Sequence, residues 1–343
     1  MMDPKKHPSF DGHEDVVLVG GETQGYAGII AIHNTALGPA AGGCRIWDYD
    51  SADDALTDAL RLSRGMTYKN AMADLPLGGG KAVIYRINTD RVDAFQKFGA
   101  AVEKLGGRYI TAEDVGATVA DMRAIAGSTS YVAGIPREHG QAGGDPSPWT
   151  ALGVHLSIKA LLGGSVQGRT VAVQGVGAVG YHLCKLLAEE GAKLVVADVN
   201  KANLQRAEVL GVEIAPVDQI HAVAADVFSP CALGAGLNAN TIPELGAPII
   251  CGAANNQLAT EDDGARLVAR GITYAPDYVV NAGGIINVSA EYLGETEAAV
   301  DARVRAIAPR LLRVLETAKS EQLTPHQAAD RIVRAKLAAA KKN

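Results

Sequence analysis

"VAVQGVGAVGYHLCKLLAEEGAKLVVADVN" (171–200) decides the fold. A short β-rich run leads into G-V-G-A-V-G, a helical stretch follows, and a second β-rich run ends in an acid. Each glycine has its own task in such a unit. Gly175 permits the tight turn, Gly177 presents no side chain to a pyrophosphate, and Gly180 lets helix and strand pack closely. Ala178 and Val179, in the same turn, are counted with these cofactor-binding residues. Phosphates would rest at the helix N-terminus, where unpaired N–H groups and the helix dipole favour anions. Asp198 falls 18 residues after Gly180, at the end of the second strand. There a carboxylate can bind an adenosine ribose and repel a 2′-phosphate, so NAD is expected rather than NADP. Lys201, close by, reads as a solvated surface residue.

Downstream, β-rich runs recur at 170–174, 193–198, 212–215, 226–229, 248–251 and 272–275, with helical stretches between most of them. Apolar strands alternating with crossover helices predict a doubly wound parallel sheet. From "EAAVDARV" onward the tail is helical, interrupted by Pro309 and Pro325. Upstream, 15–34 reads as two strands around a Gly-rich turn, and 51–73 as a helix capped by Ser51. Strands are expected at 81–86 and 108–112, helices at 91–107 and 118–127. "GQAGGDPSPWT" (140–150) is a linker by composition, and "WTALGVHLSIKALLGG" a helix. The chain is therefore expected to be α/β with two domains. Residues 1–147 form the N-terminal mixed-sheet domain, onto which the C-terminal helices can pack back. Residues 148–343 form the Rossmann-type domain with those helices.

The bulk numbers agree. The 343 residues exceed one comfortable core. Hydrophobic content of 48%, charged content of 20% and net charge −6 describe an ordinary globular chain without a nucleic-acid footprint. Cys44, Cys184, Cys231 and Cys251 are dispersed and form no CxxC pair. His139 and the other histidines have no clustered partners and read as structural or surface residues, so no metal is expected. The N-terminus has no signal-peptide core, and no run of 18 apolar residues spans a membrane. A cytoplasmic location is the default.

A second motif carries chemistry. "GMTYKNAMADLPLGGGKAVI" (65–84) places Lys69 and Lys81 twelve positions apart among small and apolar residues. "LPLGGGKA" reads as a Gly-rich turn but is no phosphate loop. The position five before Gly80 is Leu75, and Ala82 follows the lysine. One fixed ammonium can hold a substrate carboxylate. A second, buried and beside a like charge, is expected to give up its proton readily and serve as a general base. "TAEDVGAT" (111–118) adds Glu113 and Asp114 just after a strand, where α/β proteins bind ligands. Spacing alone does not choose between these two acids.

The motifs "GPAAGGCR" (38–45), "MTYKNA" (66–71), "LPLGGGK" (75–81), "TAEDVG" (111–116), "VAVQGVGAVG" (171–180), "PCALG" (230–234), "GAANNQL" (252–258) and "APDYVVNAGG" (275–284) carry a resemblance. The sequence is similar, from about residue 15 to about 330, to the amino acid dehydrogenases acting on glutamate, leucine, phenylalanine and valine. It is most like the leucine and phenylalanine members. The resemblance implies that Lys69 grips the substrate α-carboxylate beside the backbone of Gly42 and Gly43. Lys81 would be the catalytic lysine that activates water. Asp114 would be the catalytic aspartate, which closes the choice left open above. Asn281 would contact the substrate near the nicotinamide, and Ala254 and Asn255 would meet NAD. The active site would lie in a cleft between the two domains, closing over the substrate. The resemblance also implies a homo-oligomer.

Glutamate members carry a lysine just before the glycine pair, where this chain has Ala41. A glutamate carboxylate unpaired in an apolar pocket would be costly. Leucine members resemble Leu at that position and phenylalanine members resemble Ala. "RIWDY" (45–49), "TAEDVG" and "GAANNQL" look more like the leucine enzymes. Ala112, Leu311 and Val314 would line the rest of an apolar pocket. The expected reaction is reversible, NAD-dependent oxidative deamination of an apolar L-amino acid to its 2-oxo acid and ammonia. Leucine, valine or isoleucine stands ahead of phenylalanine or tryptophan. A non-catalytic NAD-binding regulator is the weaker reading, because Lys69, Lys81, Asp114 and Asn281 are all present.

Overall fold

The structure, a computed structural model, describes residues 3–135, 141–232 and 234–341. His139, and Leu233 of the "PCALG" motif, lie outside the described residues. The chain divides into two compact units. One comprises Met1–Gly144, Asn287–Glu297 and Val333–Asn343; the other comprises Asp145–Ile286 and Ala298–Ile332.

In the first unit β1 (Asp15–Gly21) and β2 (Tyr26–Asn34) form an antiparallel hairpin, turned by Gly25 at φ +74°. Then follow β3 (Ala40–Ala41), β4 (Cys44–Ile46), α1 (Ala52–Met72), β5 (Gly78–Ile87), α2 (Arg91–Glu103), β6 (Tyr109–Ile110) and α3 (Val119–Ala126). The sheet runs β1-β2-β5-β3-β6, with β4 also paired to β5. It is mixed: β5 runs antiparallel to β2 and parallel to β3 and β4. Alternation along β2 feeds both faces. Ile30 and Ile32 meet Phe95 and Phe98 of α2 and Met122 and Ile125 of α3, whereas Ile29 and Ala31 meet Leu56 and Leu60 of α1. The Ser51 hydroxyl caps α1 by accepting the Asp54 N–H at 3.1 Å, and Thr118 with Asp121 forms a capping box on α3.

The glycine run corrects the sequence reading. Gly78, Gly79 and Gly80 are not a turn; they open β5. None of the three has positive φ. Close approach is what requires glycine here. A Cβ at Gly79 would lie 2.1 Å from the Thr67 backbone nitrogen, one at Gly78 2.0 Å from the Asn34 carbonyl oxygen, and one at Gly80 2.7 Å from the Tyr109 ring. The strand thus packs backbone-on against α1 and its neighbours.

The second unit contains α4 (Ser147–Leu161), β7 (Thr170–Gln174), α5 (Ala178–Glu189), β8 (Lys193–Ala197), α6 (Lys201–Glu208), β9 (Glu213–Ile214), β10 (Val227–Pro230), β11 (Ile249–Ile250), α7 (Glu261–Ala269), β12 (Thr273–Tyr274) and α8 (Asp277–Val280). All six strands stand where they were expected. Their order is β12-β11-β10-β7-β8-β9, every pair parallel. Counted from β7 this is the 3-2-1-4-5-6 order of a doubly wound dinucleotide fold. The tail forms α9 (Gly283–Leu293), α10 (Glu297–Arg305), α11 (Ile307–Glu321) and α12 (Pro325–Ala340). Pro309 and Pro325 sit in the first turns of α11 and α12, where a missing N–H costs nothing, so they start helices rather than break one. Among the described residues no helix is long and apolar enough to cross a membrane.

Candidate active site

Lys81 projects from β5 on the α1 face of the sheet, the face it shares with Val83. Its side chain is 4% exposed, and its ammonium donates to Oδ2 of Asp114. Asp114 follows β6 and is itself 18% exposed. Its other oxygen, Oδ1, accepts from Arg45 Nε at 3.2 Å and from the Val115 N–H at 2.7 Å. Burial works against this carboxylate, but the Lys81 ammonium, the Arg45 guanidinium and the Val115 N–H outweigh it and hold it below the ordinary aspartate range. Glu113 is pushed the other way, by burial and by the Glu291 carboxylate. The direct partner of Lys81 is therefore an opposite charge, where the sequence reading stressed a like one.

The glycine pair closes this cluster. A Cβ on Gly42 would lie 1.9 Å from the Gly80 carbonyl oxygen, and one on Gly43 2.8 Å from Asp114 Cβ. The Tyr109 hydroxyl donates to the Gly42 carbonyl at 2.7 Å. Lys69 lies half-buried in the last turn of α1, on the same side of the sheet as Lys81. Its neighbour Asn70 is fully buried and donates to the Gly78 carbonyl at 2.6 Å and to Ala41 at 3.4 Å, tying α1 to β5 and β3. Ala41 and Ala112 are buried in this unit. Leu311 and Val314 are fully buried on α11, in the second unit.

In the second unit the Gly-rich turn has the build expected of a phosphate cradle. Gly175 has φ +91°. A Cβ on Gly180 would lie 2.0 Å from the Gly175 carbonyl oxygen. Gly177 differs: it caps α5 with no side-chain hydrogen bond, and a Cβ there would meet nothing within 4 Å. Ala178 and Val179 open the helix beside that space, so its first N–H groups lack a side-chain cap. Asp198 accepts from the Val176 N–H at 2.8 Å, the Asn200 N–H at 2.7 Å and Asn203 Nδ2 at 3.1 Å. Asn281, after β12, donates to Asn255 Oδ1 at 2.8 Å and to the Ala253 carbonyl at 3.1 Å. Its Oδ1 is buried without a partner among the described residues, an acceptor suited to a ligand's N–H donor. The Ala254 N–H is spent on the Pro230 carbonyl. These groups fit a nicotinamide dinucleotide. Among the described residues no cluster of His, Cys, Asp or Glu converges as for a metal ion.

Sequence reasoning missed several groups. Arg45 also donates to Asp58 of α1 at 2.9 Å, and Asp58 accepts the Tyr49 hydroxyl at 2.5 Å. Arg206 of α6 donates to the Val176 and Gly177 carbonyls at 2.9 and 3.0 Å and stacks on Tyr181 at 4.3 Å. Arg45 lay inside a quoted motif, but its partner is 69 residues away and no local pattern names it.

Residues 13–131 match the family described as Glu/Leu/Phe/Val dehydrogenase, dimerisation domain, and residues 196–343 match Glutamate/Leucine/Phenylalanine/Valine dehydrogenase. The chain is 48% identical over 330 residues to a leucine dehydrogenase of Thermoactinomyces intermedius, covering 93% of this chain and 89% of that one. It is 43% identical over 348 residues to a valine dehydrogenase of Streptomyces virginiae, covering 98% and 96%. The crystal structure of L-tryptophan dehydrogenase from Nostoc punctiforme aligns with a TM-score of 0.86 at 42% identity, over 97% of this chain and 98% of that one. The chain belongs to the glutamate/leucine/phenylalanine/valine dehydrogenase family, whose members are amino acid oxidoreductases.

Proposed function

We propose that this enzyme catalyses reversible oxidative deamination of an apolar L-amino acid, with leucine, valine or isoleucine foremost, to its 2-oxo acid and ammonia, using NAD. The observation that carries the reading is the pair of buried Lys81 and half-buried Asp114 beside the Gly42–Gly43 backbone. Lys69 holds the substrate α-carboxylate as a fixed cation. Asp114 accepts the proton that leaves the substrate nitrogen. Bound NAD, which the Gly175–Gly180 turn, Asp198, Ala254, Asn255 and Asn281 would hold, would supply the acceptor for the hydride of the substrate α-carbon. Lys81, an ammonium against Asp114 at rest, first gives its proton to solvent. As the free amine it takes a proton from water as that oxygen attacks the iminium carbon, and Asp114 returns its proton to the nitrogen. Asp114, again a carboxylate, takes the carbinol hydroxyl proton as ammonia departs. Burial of Lys81 keeps bulk water from competing for these protons.

On this reading the Gly175–Gly180 turn, with Ala178 and Val179, receives the pyrophosphate. Asp198 faces the adenosine ribose. Asn281, Asn255 and Ala254 face the nicotinamide end. Ala41 and Ala112 of the first unit, and Leu311 and Val314 that the resemblance adds from the second, are all apolar, and none of them could pair with a glutamate side chain. Ala41, smaller than leucine, also favours a second reading on the same machinery, phenylalanine or tryptophan as substrate. A homo-oligomer in the cytoplasm completes the proposal. Steady-state NADH formation with Leu, Val, Ile, Phe, Trp and Glu, each with NAD and with NADP, tests it. The highest kcat/KM is expected for a branched-chain substrate with NAD. No NADH from any of the six would overturn the reading.

A further inference from the structure

We propose that Arg45 is the positioning residue of Asp114: its guanidinium spans Asp58 on α1 and Asp114 after β6, and so fixes the carboxylate with Oδ2 toward Lys81. The geometry is specific to arginine. Nε donates to Asp114 Oδ1 at 3.2 Å while Nη1 donates to Asp58 Oδ2 at 2.9 Å. Two nitrogens of one rigid plane reach two acids on separate elements, which a single ammonium cannot do. Asp58 is itself pinned by the Tyr49 hydroxyl at 2.5 Å. Arg45 is 25% exposed and Asp58 27%, so the fork is partly shielded from solvent.

The consequence is an asymmetric carboxylate. Oδ1 already accepts two donors, Arg45 Nε and the Val115 N–H. Oδ2 meets only Lys81 among the described residues. A proton therefore enters and leaves Asp114 at Oδ2, the oxygen beside the reacting groups. Charges alternate along the chain Asp58, Arg45, Asp114, Lys81, and Asp114 lies between two cations. Arg45 accordingly contributes to keeping Asp114 ionised, along with Lys81 and against its burial.

The test uses the full-length enzyme and the variants Arg45→Gln and Arg45→Lys. The pH dependence of kcat/KM for deamination is expected to have its acid limb moved up by about one pH unit in Arg45→Gln. Arg45→Lys, which keeps the charge and loses the fork, should move it less. Added guanidinium should recover part of the Arg45→Gln loss. NADH affinity, read by fluorescence titration, should stay within twofold, since the Gly-rich turn belongs to the other unit. An unmoved acid limb in a folded Arg45→Gln enzyme overturns the proposal; if that variant fails to fold, an unmoved limb in Arg45→Lys does so. The limb readout rests on the dehydrogenase reading above. A crystal structure of either variant does not: it is expected to find Asp114 rotated off Lys81. An intact Oδ2–Lys81 contact would overturn the positioning role even if wild-type enzyme turned over no amino acid.

Discussion

Lys81 and Asp114 are costly residues to place together. The buried ammonium and the half-buried carboxylate are tolerable because each, with Arg45, offsets the other. Removing one partner strands the other. Lys81→Ala is expected to lower deamination kcat by about a thousandfold or more, the scale of lost general-base catalysis. Because the Gly-rich turn is in the other unit, NADH affinity should remain near wild type. Deamination retained in that variant would remove Lys81 from the mechanism. Asp198 is a different case. Its carboxylate is engaged by three donors of its own unit, two of them backbone N–H groups. Asp198→Ala should therefore weaken NADH binding through a loosened turn as well as through loss of the proposed ribose contact. Fluorescence titration with NADH and NADPH should find the NADH affinity lower and the gap between the two narrowed.

At the scale of elements, two glycines make opposite predictions. Gly79 lies in β5 against α1, and a methyl there would intrude on Thr67 at 2.1 Å. Gly79→Ala is expected to destabilise the fold by about 1–3 kcal/mol, the usual cost of overpacking, and to lower the thermal midpoint. Gly177 faces open space at φ −64°. Gly177→Ala should leave the thermal midpoint almost unchanged and, on the proposed reading, weaken NADH binding tenfold or more, because the methyl would take the place proposed for phosphate. Equal thermal losses in the two variants would refute that assignment. The same contrast explains what was readable. The G-V-G-A-V-G turn announced itself because strand, glycines, helix and acid all lie within one local unit. The glycines of "LPLGGGK" read as a turn because the helix that demands them, α1, ends several residues earlier and folds back onto them. Nothing in the tripeptide records that approach.

Across the first unit as a whole, acid is the expected weakness. His13 and His33 are buried edge to face, with ring centroids 4.8 Å apart. The His13 Nδ1 accepts the Asp11 N–H at 3.2 Å, while His33 Nδ1 pairs with Thr67 at 2.8 Å, on the segment of α1 that meets Gly79. Burial, then the neighbouring His13, lowers His33 to about 4 from an ordinary 6.5. Asp11 and Arg64, which also face it, act in opposite directions. The unfolded chain therefore binds the proton first. Stability is complete above about pH 6.5 and falls as the pH drops toward 4, by on the order of 2–3 kcal/mol for His33. Urea unfolding at pH 7.5 and pH 5 should register this loss, and His33→Asn should flatten it. An unchanged pH slope in that variant would refute the assignment.

The sequence by itself determined the alternation of strands and helices, the six-stranded parallel sheet and the family. All of these rest on periodicity and on motifs whose members are neighbours along the chain. It also marked Lys81 and offered Glu113 and Asp114 by spacing, and the resemblance its motifs carry chose Asp114. Only the tertiary structure decided that Asp114 is the acid that touches Lys81, that Arg45 and Asp58 stand behind it, and that the glycine run is a strand. Those outcomes depend on partners 12 to 69 residues apart, brought together by sheet pairing and by the packing of α1. Contacts of that range are fixed by the burial of both sheet faces at once, and no local pattern encodes them.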